Sequence, residues 1–257
     1  MSADALSCKC CGKLAKPIGT VDFNKSCIDC TGEKPFPPSG EEVPYWMCSA
    51  CGFVFSNYMD KWSHEQFTER IYNTDYVRAD PPLPGRLEVP LRDTPSYQKG
   101  RYIAAFFPNA QRELRILDYG AGGNPGPTGC ALAEAGFTVV SYDPFRAQTA
   151  LPEGRFDLIV AIEVFEHVTD LRRLGSFMQE RLARDGLLWI QTLLHPFPPL
   201  QNVLDSWYIA PRNGHVSIFT LHALSVFLRG YGINVVVTSA ATFGFKSLPQ
   251  FPNLVFV

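Results

Sequence analysis

The sequence has no surplus of basic charge and no long apolar run, and each absence removes a class of function. Its 23 Lys and Arg residues are outnumbered by 25 Asp and Glu, leaving a formal net charge of −2. Proteins that bind nucleic acid broadly draw most of their affinity from cationic contacts to phosphates, so this balance argues against a nucleic-acid partner. No stretch is apolar for long enough to cross a bilayer. The start of the chain, Met1-Ser-Ala-Asp-Ala-Leu-Ser-Cys8, lacks the basic and apolar regions of a secretion signal. These features lead us to expect a cytoplasmic protein with no membrane insertion. Cysteine is almost absent beyond residue 51: Cys130 stands alone, and the other seven lie between Cys8 and Cys51. That distribution excludes a disulfide framework for the whole chain and points to a local metal site.

Three regions follow. Residues 1–60 carry the cysteines, residues 61–112 form a linker or helical cap, and residues 113–257 alternate strand and helix. In the first region, Cys8-Lys-Cys10-Cys11-Gly12 and Cys48-Ser-Ala-Cys51-Gly52 both have the Cys-x-x-Cys-Gly form of a zinc knuckle. The turn aims backbone N–H groups at the thiolates, and two knuckles supply the four ligands of a tetrahedral structural zinc site. Cys8, Cys11, Cys48 and Cys51 are therefore the candidate ligands. Cys27-Ile-Asp-Cys30 has the same spacing without the glycine and could replace one knuckle, serve a second site or remain as free thiols. Short strands are expected at 45–47 and 53–55. In the linker, Ser63 could cap a short helix, and apolar spacing from Ser96 to Phe107 predicts a helix.

From residue 113 strands are predicted at 114–118, 138–142, 156–161, 186–192, 233–239 and 251–257. Helices are predicted at 127–135, 169–182 and 220–230. Such alternation predicts an α/β fold with a doubly wound, mostly parallel sheet, and the closely spaced last strands suggest an antiparallel hairpin at one edge. The first strand runs directly into Asp118-Tyr-Gly120-Ala-Gly122-Gly123-Asn124-Pro-Gly126. Glycines here let the backbone approach a ligand at the carboxyl ends of the strands. A second strand ends at Asp143, about 20 residues on, where a carboxylate can accept hydrogen bonds from ribose hydroxyls. A dinucleotide site could begin in the same way, but Asp118 would sit poorly beside a pyrophosphate and well beside the amino group of a methionine moiety.

With Leu117-Asp118-x-Gly120-x-Gly122, Tyr142-Asp143-Pro144, Phe156-Asp157-Leu158-Ile159 and Glu163-Val-x-Glu166-His167-Val in order, residues 113–195 resemble the class I S-adenosylmethionine-dependent methyltransferases. The resemblance implies a Rossmann-like core in which Asp118, Gly120 and Gly122 hold the methionine end of S-adenosylmethionine, Asp143 holds its ribose, and Glu163 lines the cofactor. Two features depart from it. Extra residues occupy Asn124–Gly129, and only Pro144 to Arg155 separates Asp143 from the next strand, which leaves the adenine contacts open. The segment Tyr45-x-x-Cys48-x-x-Cys51-Gly52-Phe-Val-Phe, with Ile71-Tyr72-Asn-Thr-Asp75-Tyr76 after it, resembles the zinc-binding domain that precedes the methyltransferase core of certain bacterial enzymes, several of which act on sugars.

An oxygen acceptor also needs a base. His167 follows a predicted strand's carboxyl end, and His215 lies in Trp207-Tyr208-Ile-Ala-Pro-Arg212-Asn213-Gly214-His215, a loop whose side chains suit a polyhydroxylated substrate. His167 could instead cap the next helix or pack against the cofactor, and His215 could be a satisfied surface histidine in an ordinary loop. The function expected is methyl transfer from S-adenosylmethionine to a hydroxyl or carbon of a glycan, nucleotide-sugar or related small metabolite. An RNA methyltransferase with a zinc ribbon, or a degenerate scaffold, are the alternatives.

Overall fold

The computed structural model describes residues 5–107, 113–145, 150–199, 201–238 and 241–247. In chain order the elements are β1 (Leu6–Ser7), β2 (Leu14–Asp22), β3 (Glu42–Cys48), β4 (Val54–Phe55), α1 (His64–Arg70), α2 (Tyr76–Ala79), α3 (Pro95–Phe106), β5 (Arg115–Tyr119), α4 (Pro127–Glu134), β6 (Thr138–Tyr142), β7 (Phe156–Ile162), α5 (Leu171–Arg181), β8 (Leu182–Gln191), β9 (Ser217–Ile218), α6 (Leu221–Arg229), β10 (Asn234–Val237) and β11 (Thr242–Phe245). Among the described residues no helix is long and apolar enough to cross a membrane.

The chain divides into two compact units. One comprises Met1–Leu87, Phe165–Leu174 and Thr192–Gly230; the other comprises Glu88–Val164, Gly175–Gln191 and Tyr231–Val257. The second holds a six-stranded sheet of order β10-β11-β8-β7-β5-β6. Its β6, β5, β7 and β8 pair in parallel, while β11 is antiparallel to both neighbours. The parallel strands read as near-continuous apolar runs, as strands covered on both faces must. Ile116, Leu158, Val160, Leu187, Trp189 and Phe243 form its core with Ile103 from α3. This is the mostly parallel α/β architecture that the alternation predicted.

Two boundaries differ from expectation. The edge hairpin is present, but β10 pairs with Thr242–Phe245, whose Phe243 and Phe245 are buried; the strand expected at 251–257 lies outside the described residues. Strand β8 begins at Leu182, not 186, because a register shift against β7 between Phe156 and Leu158 absorbs the extra residues.

The first unit holds a five-stranded antiparallel sheet of order β1-β2-β3-β4-β9. Strand β2 escaped the sequence reading because Pro17 and Gly19 interrupt it. Proline cannot donate to a ladder, and the register against β3 shifts between these two residues. Strand β9 escaped because it is two residues long and pairs with distant β4, Val54 opposite Ile218. Helix α1 begins as expected: Ser63 accepts from the Gln66 amide, and the Gln66 side chain accepts from the Ser63 amide.

Candidate functional site

In the six-stranded unit the glycine loop folds over the ends of β5 and β6. The Gly120 and Ala121 amides donate to the Tyr142 carbonyl at 2.8 and 3.3 Å. Gly120 has φ +76°, and a Cβ there would stand 2.4 Å from Val164 Cγ2, so no side chain fits. Gly122 has φ +64° with open space where its Cβ would point. Its amide donates to Asp143 Oδ2 at 2.8 Å, and the Phe145 amide donates to Oδ1 at 2.8 Å. The acid at the end of β6 is thus fixed by two amides, one of them from the glycine loop.

Asp118 is 4% exposed. Its Oδ2 accepts from the Gly129 amide at 3.0 Å, in the first turn of α4. The residues that looked like an insertion after the glycines therefore include the start of α4, and a carboxylate sits at its positive end. Burial pushes the Asp118 pKa up to about 7; the Gly129 amide pulls it down, and the Asp143 charge pushes it up.

Glu163 lies just past the end of β7. Among the described residues it is the one non-glycine with positive φ, +51°. Such strain recurs at functional sites. Its amide donates to the Gln191 carbonyl at 2.7 Å, and its exposed carboxylate stands 3.3 Å from Lys99 Nζ on α3. Lys99 was missed in the sequence because no motif surrounds it.

In the other unit the structure brings both candidate histidines together. The His167 and His215 rings lie 4.8 Å apart, edge to face. His167 Nε2 is 3.9 Å from Glu166 Oε1. Glu166 is wholly buried, and its Oε2 accepts from the Thr192 hydroxyl at 2.9 Å, which lies 3.2 Å from the Tyr208 hydroxyl. Burial pushes the His167 pKa down to about 4. His215 Nδ1 is 2.9 Å from the Tyr208 carbonyl. A carbonyl only accepts, so Nδ1 carries the proton and Nε2 the lone pair. Glu166, Thr192 and Tyr208 were not singled out in the sequence; the pairing of Glu166 with His167 in one motif was the available signal.

The loop bearing His215 is held by the cysteine-bearing segment. The Tyr45 hydroxyl donates to the His215 carbonyl at 2.7 Å, and the Cys27 amide donates to Asn213 Oδ1 at 2.9 Å. Arg212 and Asn213, which as a sequence suited a sugar-binding loop, are 3% and 1% exposed. Arg212 donates to the Ile71 carbonyl and to Asn73 Oδ1, and Asn213 donates to the Ala79 carbonyl. Both brace the loop.

Cys8, Cys11, Cys48 and Cys51 bring their sulfurs within 4.8 Å of one another. Cys8 to Cys51 is 3.6 Å and Cys11 to Cys48 is 3.5 Å. Zinc with bonds of about 2.3 Å needs tetrahedral edges of roughly 3.8 Å, so the donor set fits the ion. The Gly12 and Gly52 amides close the two knuckles onto the Cys8 and Cys48 carbonyls, each at 2.9 Å. Cys27 and Cys30 stand outside this cluster; Cys27 Sγ lies 3.8 Å from His215 Nδ1.

Residues 92–238 match a family model described as a methyltransferase domain. No curated protein matches the chain. Among solved structures, CalO1, a methyltransferase in calicheamicin biosynthesis in its SAH-bound form, is 16% identical, with 74% of this chain and 69% of that one covered and a TM-score of 0.44. A Burkholderia thailandensis 1,6-didemethyltoxoflavin-N1-methyltransferase, bound to 1,6-didemethyltoxoflavin and S-adenosylhomocysteine, is 16% identical over 70% of this chain and 85% of its own, with a TM-score of 0.39. A candidate O-methyltransferase from Nostoc punctiforme PCC 73102 is 12% identical over 58% of this chain, TM-score 0.42, and the chain spans 56% of its length.

Proposed function

Because the chain belongs to the methyltransferase-domain family, we propose that it transfers a methyl group from S-adenosylmethionine to a hydroxyl or carbon of a glycan, nucleotide-sugar or related small metabolite. The observation that carries the cofactor half of this reading is the Gly122 amide on Asp143, which joins the glycine loop to a fixed acid. S-adenosylmethionine supplies, when bound, an electrophilic methyl on a sulfonium. The chain's own task is orientation and proton handling.

Gly120 and Gly122 keep side chains away from the loop's surface, and Asp143, held by two amides, offers acceptor oxygens to ribose hydroxyls. Asp118, raised to about 7 by burial, gives up its proton readily beside a cationic amino group. Cofactor affinity should therefore rise as pH rises through about 7. At the acceptor end, the burial that holds His167 near 4 costs it proton affinity. Of the two histidines we assign His215 as the base, because its Nδ1 proton is fixed on the Tyr208 carbonyl and its Nε2 carries the lone pair, and His167 as its packing partner. Zinc on Cys8, Cys11, Cys48 and Cys51 is structural in this reading, since four thiolates leave no open position. It would stiffen the segment that carries Tyr45.

The test is transfer of labelled methyl groups from S-adenosylmethionine to a panel of glycans, nucleotide-sugars and RNA. We expect salt-independent turnover on a small acceptor. In His215→Ala, turnover should fall about a hundredfold with cofactor affinity unchanged. Full activity in both His167→Ala and His215→Ala would remove the base assignment. Methylation of RNA alone would move the chain to the RNA class, and cofactor binding with no turnover on any acceptor would favour a scaffold.

A further inference from the structure

Glu166, His167 and His215 each bring one donor atom to a common point, the three atoms lying within 4.8 Å of one another. We infer that this trio is a second metal site, separate from the four thiols, that takes a divalent transition-metal ion through two imidazoles and one carboxylate. Magnesium and calcium favour all-oxygen sets, whereas imidazole with carboxylate suits first-row ions such as zinc, cobalt or manganese.

The ligands are prepared for an ion in two ways. First, His215 donates its Nδ1 proton to the Tyr208 carbonyl at 2.9 Å. A metal-binding histidine commonly anchors its other nitrogen in this manner, which fixes the ring and leaves Nε2 as the donor. Second, Glu166 is held by the Thr192 hydroxyl on Oε2, while Oε1 faces His167. A wholly buried carboxylate gains most from a cation at bonding distance.

The geometry needs only modest closure. Glu166 Oε1 and His167 Nε2 are 3.9 Å apart, against roughly 3.4 Å for tetrahedral donors with bonds of about 2.1 Å. The scaffold is rigid where it matters: the Val216 amide donates to the Glu166 carbonyl at 2.9 Å, which ties the two ligand segments together. The Tyr45 hydroxyl holds the His215 carbonyl. Three protein donors leave a position open for an oxygen ligand. With an ion bound, His215 Nε2 is a ligand and no longer the free base of the methyl-transfer reading; the ion would then receive the acceptor oxygen, a role that rests on that reading, whereas the ion's presence does not.

The experiment uses the full chain, depleted of exchangeable ions with EDTA while zinc content is followed by mass spectrometry. Cobalt(II) is then added and followed by calorimetry and visible absorption. We expect one cobalt per chain in addition to the retained zinc, with weak ligand-field bands and no sulfur-to-cobalt charge transfer. His215→Ala and the isosteric Glu166→Gln should each weaken that cobalt at least about tenfold. Binding of no cobalt beyond the thiol site, charge-transfer bands alone, or undiminished affinity in Glu166→Gln would overturn the proposal. Should His215→Ala fail to fold, Glu166→Gln alone decides. S-adenosylhomocysteine binding, measured in parallel without cobalt, reports on the methyl-transfer reading separately.

Discussion

In the six-stranded unit, the loop site is built from neighbours: Asp118 lies near the end of β5, Gly120 and Gly122 follow it directly, and Asp143 follows the adjacent parallel strand β6. In the five-stranded unit, the histidine cluster is gathered from remote stretches. Glu166 and His167 come from one segment, Thr192 from another and His215 from a third, and Tyr45 from the cysteine-bearing region fixes the last. One is shaped by backbone conformation and amide donors, the other by side chains whose positions depend on long-range strapping. The contrast teaches where each is vulnerable. The loop site should fail by local sterics, the histidine cluster by loss of distant supports.

The largest effect should come from the most remote support. Cys48→Ser removes one of the four sulfurs, and structural zinc sites contribute on the order of 10 kcal/mol to the folding of small modules. We expect loss of about one zinc per chain and a fall in melting temperature of more than about 10 °C. Full zinc content with an unchanged melt would break the claim that the knuckles support this unit.

Next, Gly120→Ala places a Cβ 2.4 Å from Val164 Cγ2 at a positive φ. It should cost about 3 kcal/mol of stability and more than about tenfold in cofactor affinity, with His215-dependent chemistry otherwise intact. Val164→Ala in the same chain should restore part of the loss, as followed by denaturant unfolding and calorimetry. No rescue would mean that φ, not contact, is the constraint.

A smaller, pH-dependent effect belongs to Asp118. Its folded pKa of about 7 lies above the unfolded value, so the folded state holds a proton that the unfolded chain releases. Its contribution to stability is complete below about pH 4 and is lost as pH rises through about 7. Asp118→Asn should flatten this fall in unfolding curves measured across that window. An unchanged slope would show that another group titrates there.

The smallest effect is expected from Tyr45→Phe, which deletes the hydroxyl on the His215 carbonyl. A net cost near 1 kcal/mol should appear as a few-fold fall in turnover with cofactor affinity unchanged. Reduced cofactor affinity would contradict the division of labour.

The same contrast explains what the sequence made legible. The apolar runs of β5 and β7, the glycines and the acid closing β6 are local signals, so the mostly parallel sheet and the loop could be read from spacing. The two knuckles were legible for the same reason, and the clustering of Cys8, Cys11, Cys48 and Cys51 follows their spacing. Strand β9, the Glu166–Thr192 hydrogen bond and the proximity of His167 to His215 depend on pairings between stretches far apart in the chain, which no window of residues encodes. Arg212 and Asn213 misled for a related reason. Their side chains advertise ligand binding, but burial against the carbonyls of Ile71 and Ala79 commits them to holding the loop.

The most direct test of the central claim, that the glycine loop and Asp143 bind the cofactor while His215 serves the acceptor, is calorimetric titration of S-adenosylhomocysteine into the zinc-replete wild type, Asp143→Ala and His215→Ala. The account predicts saturable one-to-one binding to wild type, at least about tenfold weaker binding to Asp143→Ala, a loss of 1.4 kcal/mol or more, and wild-type affinity in His215→Ala. Absence of binding to wild type, or equal affinity in Asp143→Ala, would contradict it.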